Sequence, residues 1–135
     1  MERVPILKLG DVLLVSIQID LEDEVALNLQ ADLAERIVDT GARGVLVDIS
    51  ALEIVDSFIG RVFADIAATS KVLDAEAVVV GMRPAVAMTL VDLGLSLGGV
   101  RTALNVEKGL KILREDLGLR GVAELDMTPD RPGDT

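Results

Sequence analysis

The stretch of sequence that decides the fold spans residues 45–60 and reads VLVDISALEIVDSFIG. It begins inside a short, apolar and β-branched segment at 44–49, which is typical of a strand covered on both faces. From Ser57 onward the apolar residues recur with the period of a helix. The stretch therefore predicts a buried strand, a loop, and a helix that opens with Asp56 and Ser57, two residue types favoured at a helix start.

Strands and helices alternate on both sides of this stretch. The predicted elements are strands at 5–9 and 12–18, a helix at 20–40, a strand at 44–49, a helix at 57–74, a strand at 77–80, a helix opened by 81–84 and ended at Gly94, a weak strand at 100–104, and a helix capped by Asn105 and stopped by Gly118. The order ββαβαβαβα predicts an α/β fold with a mostly parallel sheet of about five strands and four helices.

The length and segment composition predict one domain with a tail. A chain of 135 residues can bury a core without disulfides or metal, and we expect that domain to span residues 1–119. Residues 120–135 contain two of the four prolines and few core-forming residues, which predicts a mobile tail. No uncharged stretch exceeds eight residues, whereas a membrane helix needs about 20, and residues 1–5 lack the features of a signal peptide. The expected location is cytoplasmic.

The residue types that are missing limit the chemistry. The chain contains no Cys and no His, which removes thiol catalysis, disulfides and the usual general base at neutral pH. Tyr and Trp are also absent and the net charge is −10, so nucleic acid would be repelled and its bases would find almost nothing to stack on. We therefore expect no enzyme, no nucleic-acid partner, no membrane partner and no cofactor.

Two loops follow the carboxyl ends of predicted parallel strands, at 50–56 and 81–83. In open sheets functional groups gather in such loops, and we expect these two to be neighbours. Arg83 precedes Pro84 at a helix start, where an anion could bind, although a surface arginine is the simpler interpretation. The acidic run at 22–24 is either a docking surface for a basic partner or, as we favour, a solvated first turn that complements the helix dipole.

The polar residues around the first loop allow several interpretations. Asp48, Glu53 and Asp56 are carboxylates of the type that binds Mg²⁺, but Asp48 more simply braces the loop, and we expect no metal. Ser57 on local chemistry is an ordinary helix start. As a nucleophile it would need a base, and the chain has no histidine. As a phosphate acceptor it needs only exposure and a kinase, and a helix N-terminus tolerates the added charge of about −1.5 to −2.

Four blocks of sequence carry a resemblance to a known family: VPILKL at 4–9, LLVSIQ at 13–18, VDSFI at 55–59 and PAVAMTL at 84–90. Together with the element order, they resemble the STAS domain, the fold of bacterial anti-sigma-factor antagonists, over residues 3–118. Other antagonists usually continue the Asp-Ser pair with small or glycine-rich residues. Phe58 and Ile59 depart from that pattern and favour the branch of RsbS-like stressosome scaffolds.

The resemblance implies a function. RsbS-like scaffolds are non-enzymatic, form homo-oligomers or hetero-oligomers that include RsbR-like STAS sensor proteins, and sequester an RsbT-like serine kinase. Stress lets this kinase phosphorylate the scaffold serine, which matches Ser57 with Asp56 as its supporting neighbour, and an RsbX-like phosphatase resets it. Two alternatives stay open: an antagonist that binds an anti-sigma factor directly, and a small-ligand or nucleotide-binding STAS module that uses the loops around Ser50 and Arg83.

Overall fold

The chain forms the predicted alternation of strands and helices. The computed structural model describes residues 4–18, 21–94 and 100–117. The elements are β1 (Ile6–Leu9), β2 (Val12–Ser16), α1 (Asp23–Thr40), β3 (Gly44–Asp48), α2 (Ser57–Val72), β4 (Glu76–Val80), α3 (Pro84–Asp92), β5 (Arg101–Ala103) and α4 (Val106–Leu117). The predicted α/β class and element order are confirmed. The predicted domain boundary after residue 119, the Gly118 stop and the tail at 120–135 lie outside the described residues.

Two helix limits differ from the prediction. The first helix begins at Asp23, three residues later than position 20, which itself lies outside the described residues. The second ends at Val72 instead of residue 74. Asp74 adopts a left-handed conformation with φ 65°, and the next amide, that of Ala75, donates to the Ser70 carbonyl. Because of this turn, the helix ends two residues before the limit that the apolar spacing predicted.

The sheet has the order β1-β2-β3-β4-β5. The first pair is antiparallel, joined by a tight turn in which Gly10 has φ 61°, and the other three pairs are parallel. Residues 45–47 of β3 are fully buried, as expected for a strand between two layers. Because β2 to β5 are parallel, their carboxyl ends lie along one edge of the sheet.

Helices cover the sheet unequally on its two faces. The larger core contains the buried residues of α1, α2 and α3, among them Leu33, Phe63 and Leu90. The smaller core lies under α4 and is centred on Leu113 and Leu46. The predicted cap of α4 is confirmed, because the Asn105 side-chain oxygen accepts a hydrogen bond from the Lys108 amide at 2.9 Å. Val106 and Leu110 are half-buried and pack against this smaller core beside the fully buried Leu113.

Gly109 allows α4 to approach the sheet closely. A Cβ at this position would lie 2.7 Å from the methyl groups of both Leu46 and Val80. These side chains belong to the small core and cannot withdraw freely. The absence of a side chain at Gly109 therefore sets the distance between α4 and the central strands.

We expect the Gly109→Ala variant to be less stable than the wild type. Alanine in a helix normally gains about 1 kcal/mol over glycine, but overpacking a filled core costs about 1–3 kcal/mol. The expected result is a lower free energy of unfolding in urea, by up to about 2 kcal/mol. The control is Lys111→Ala on the exposed side of the same helix, expected within about 0.5 kcal/mol of wild type. A stabilised Gly109→Ala variant would contradict the close approach.

Candidate functional site at the carboxyl edge of the sheet

The candidate site is built on the ends of the central strands. The Ile49 amide donates to the Val80 carbonyl at 3.0 Å, and the Ile17 amide donates to the Asp48 carbonyl at 3.0 Å. Both bonds continue the parallel ladder one residue past the assigned strands. The loops after β3 and β4 therefore leave the sheet side by side, as the sequence predicted.

Gly81 brings these two loops into contact. It has φ 78°, and a Cβ there would lie 2.8 Å from the Ser50 Cβ and 3.1 Å from the Ser50 amide nitrogen. Asp48 lies at the same contact, where its Oδ1 accepts a hydrogen bond from the Ser50 amide at 3.0 Å. The predicted bracing role of Asp48 is confirmed, and Gly81 is required here both for its conformation and for the close approach.

Arg83 provides a second link between the loops. Its Nε donates to the Ser50 carbonyl at 3.0 Å, and its guanidinium lies 4.0 Å from the Glu53 carboxylate. The two side chains are 50% and 74% exposed, so the ion pair is weak. The predicted proximity of the two loops is thus confirmed, with the Arg83 Nε–H directed to the protein backbone.

The loop at 50–56 has buried anchors and an exposed tip. Leu52 and Val55 are buried, and the Leu52 amide closes a turn on the Ile49 carbonyl at 2.9 Å. Ile54, between them, is 85% exposed. The sequence analysis did not single out Ile54. The pattern that could have indicated its exposure is an apolar residue directly after the loop carboxylate Glu53, in a segment without the period of a strand or a helix.

Asp56 and Ser57 lie where the loop becomes α2. Asp56 is exposed and occupies the N-cap position, where its Oδ1 accepts a hydrogen bond from the Ile59 amide at 3.0 Å. Ser57 is the first helical residue and is half-buried. The cap bond comes from Asp56, so the Ser57 hydroxyl is not needed for it. The amides of Ser57 and Phe58 are in the first turn, where they have no acceptor within the helix.

The other candidate residues are not gathered into a site. Within the described ranges, no three acidic residues are close enough together to hold a metal ion. The acidic residues at 22–24 are all exposed, and Asp23 and Glu24 form the first turn of α1, in agreement with the favoured interpretation of a solvated helix start. In the same part of the chain, none of the helices has the length and hydropathy to cross a bilayer.

The fold, with an Asp-Ser pair at the start of α2, has the element order of the family that the sequence resembles, and the comparison with known families agrees with that resemblance. The profile of the family described as STAS domain matches residues 3–109. The chain belongs to the STAS domain family.

The chain is similar to proteins whose names refer to RsbS, to the stressosome and to RsbT. It is 41% identical to a serine-to-glutamate variant of RsbS from Moorella thermoacetica, with a TM-score of 0.73 and coverage of 83% of this chain and 95% of that one. A chain in a structure of the molecular architecture of the stressosome has the same identity and TM-score, with coverage of 82% and 96%. The RsbT co-antagonist protein RsbRA of Bacillus subtilis (strain 168) is 26% identical over 95 residues, which are 70% of this chain but only 35% of that protein.

We expect loss of the cap to destabilise the start of α2. In the Asp56→Ala variant the Ile59 amide loses its acceptor, at a cost of about 1 kcal/mol in the free energy of unfolding, with a range of about 0.5–2. Asp56→Asn keeps a cap oxygen and should recover most of this loss. The control Asp65→Ala removes an exposed carboxylate from the same helix without removing a cap. Equal urea midpoints for the Asp56→Ala and Asp65→Ala variants would contradict the capping role.

Proposed function

We propose that the chain is a non-enzymatic scaffold and phosphorylatable switch of a bacterial stress-signalling complex of the stressosome type. The observation that carries the proposal is the placement of Ser57 as the first helical residue after a braced loop. The similarity to RsbS and to a stressosome structure supports the choice of complex.

The proposed modification transfers a phosphoryl group from ATP to the hydroxyl of Ser57. A new bond forms between the serine Oγ and the γ-phosphorus, the bond from that phosphorus to ADP breaks, and the hydroxyl proton passes to a base of the kinase. This chain supplies only the acceptor and its position. The free amides of the first turn and the helix dipole favour the added negative charge, so the domain stays folded after phosphorylation.

The charge of the added phosphate changes the binding of a partner protein docked at the loop. Phosphorylation adds about −1.5 to −2 charges next to Asp56, which is already exposed and acidic. Ile54 offers an apolar contact two residues before Asp56. We propose that an RsbT-like kinase binds at this edge and is held there while Ser57 carries a hydroxyl. The kinase dissociates when the negative charge of the phosphate is added to that of Asp56. An RsbX-like phosphatase restores the unmodified state.

The proposed partners in the assembly are RsbR-like STAS sensor proteins. The similarity to RsbRA covers about a third of that protein, which is consistent with this chain corresponding to its STAS part alone. In such a complex the sensor supplies the stress input, and this chain supplies the acceptor serine.

Phosphorylation should occur at Ser57. We expect incubation with the cognate kinase and ATP to label the wild-type chain on the peptide containing Ser57. The Ser57→Ala variant should lose this label. The matched control is Ser50→Ala, which removes the exposed hydroxyl of the same loop while keeping the Cβ that touches Gly81. It should be labelled as well as the wild type.

Phosphopeptide mapping by mass spectrometry decides between the sites. Undiminished labelling of the Ser57→Ala variant, or phosphate on Ser50 in the wild type, would refute the assignment. Thermal unfolding of both variants shows whether each is folded under the assay conditions.

Assembly with a sensor protein separates the scaffold from a direct antagonist. We expect the chain to co-elute with an RsbR-like STAS sensor in very large particles on size-exclusion chromatography with light scattering, because a scaffold contributes many copies. A stable complex of defined small size with an anti-sigma factor, and no large particle with the sensor, would favour the direct antagonist instead.

A further inference from the structure

Arg61 lies one helical turn after Ser57 on the outer side of α2. Residues four apart in a helix share a face, with their Cβ atoms about 5–6 Å apart. The inner side of this helix carries the buried residues Ile59, Val62 and Phe63. Arg61 is exposed, as expected for the opposite side. The helix therefore places the guanidinium of Arg61 within reach of a group attached to the Ser57 hydroxyl.

The order of charges along α2 favours an anion at position 57. Among the residues that the structure describes, the Arg61 side chain has no hydrogen bond or ion pair. Asp65 is exposed and lies four residues after Arg61. In helices an acidic group four residues before a cation pairs better than one four residues after it. Asp65 has the poorer order, whereas a phosphate on Ser57 has the better one.

The other cation of this edge, Arg83, is already bound to the neighbouring loop. Its Nε donates to the Ser50 carbonyl at 3.0 Å, and its guanidinium lies 4.0 Å from the Glu53 carboxylate. A phosphate could recruit Arg83 only if these two contacts were broken. Arg61 needs no more than a rotation of its exposed side chain. Arg61 is therefore the cation that a phosphate on α2 recruits at the lower cost.

We propose that Arg61 binds the phosphate of phosphorylated Ser57 across one turn of α2. This inference rests on the proposed modification of Ser57. Two N–H groups of the guanidinium form a planar fork that matches two phosphate oxygens, so the pair is held by charge-assisted hydrogen bonds. Phosphorylation then changes this surface in two ways, because it adds an anion and also withdraws the exposed cation Arg61 from contact with a partner protein.

The full chain with phosphoserine incorporated at position 57 during translation tests the contact without the kinase. Phosphorus NMR over a pH series follows the second ionisation of the phosphate, which occurs just below neutral pH. Arg61→Gln removes the cation and Arg61→Lys keeps it. The charge-matched control is Lys71→Gln, which removes an exposed cation of the same helix about 21 Å further along its axis. Circular dichroism checks that every variant is folded.

We expect Arg61→Gln to raise the pKa of the phosphate by at least about 0.2, because a cation at this spacing favours the dianion. Arg61→Lys should recover most of the change. Lys71→Gln should leave the phosphate pKa within about 0.1 of the wild-type value, since charges further apart than about 8–10 Å are largely screened. An unchanged pKa in Arg61→Gln, or an equal rise in Lys71→Gln, would overturn the proposal.

The titration and the kinase assay can fail independently of each other. A kinase that leaves Ser57 unlabelled would refute the proposed function, whatever the titration of the incorporated phosphoserine shows. A phosphate whose pKa does not respond to Arg61→Gln would refute the ion pair alone. An Arg83→Gln variant that raises this pKa while Arg61→Gln does not would assign the phosphate to Arg83 and would also refute the contact with Arg61.

Discussion

The hydrogen bond from the Ile49 amide to the Val80 carbonyl determines the geometry of the candidate site. It holds the ends of the two central strands together one residue past their regular pairing, so both following loops start from one point. Gly81 then turns with a positive φ, which allows the Ser50 backbone to pack directly against it. The start of α2, and with it Ser57, is positioned by this packing and not by contacts of its own hydroxyl.

The loop at 50–56 is held mainly by burial. The ion pair of Arg83 with Glu53 is exposed on both sides and contributes at most about 1 kcal/mol. Burying a side chain such as Leu52 or Val55 contributes about 1.5–3 kcal/mol each. The polar bonds of Arg83 and Asp48 to Ser50 therefore select the loop conformation, while the apolar anchors supply most of its stability. Because the ion pair contributes so little, Glu53 can exchange Arg83 for another partner while the loop keeps its conformation.

Features that depend on local periodicity and on helix capping could be predicted from the sequence alone. The element order, the Asn105 cap and the neighbouring loops all followed from short patterns and from the rule for parallel strands. The bond of Arg83 to Ser50 joins residues 33 positions apart, so no local pattern could predict it. Gly109 was missed for a related reason, because a glycine within a helix pattern looks like a local weakness until the facing side chains are known. Phosphorylation of Ser57 stays a prediction.

The loop before α2 exposes an apolar group and a charged group close together. Ile54 is 85% exposed and lies two residues before Asp56, which is exposed and acidic. Under the proposed phosphorylation of Ser57, a further charge of about −1.5 to −2 would lie beside Asp56. The apolar contact area of Ile54 would be unchanged by that charge, whereas the electrostatic contact at Asp56 would change. A partner docked on this edge would therefore respond to the phosphate through charge and not through a loss of apolar area.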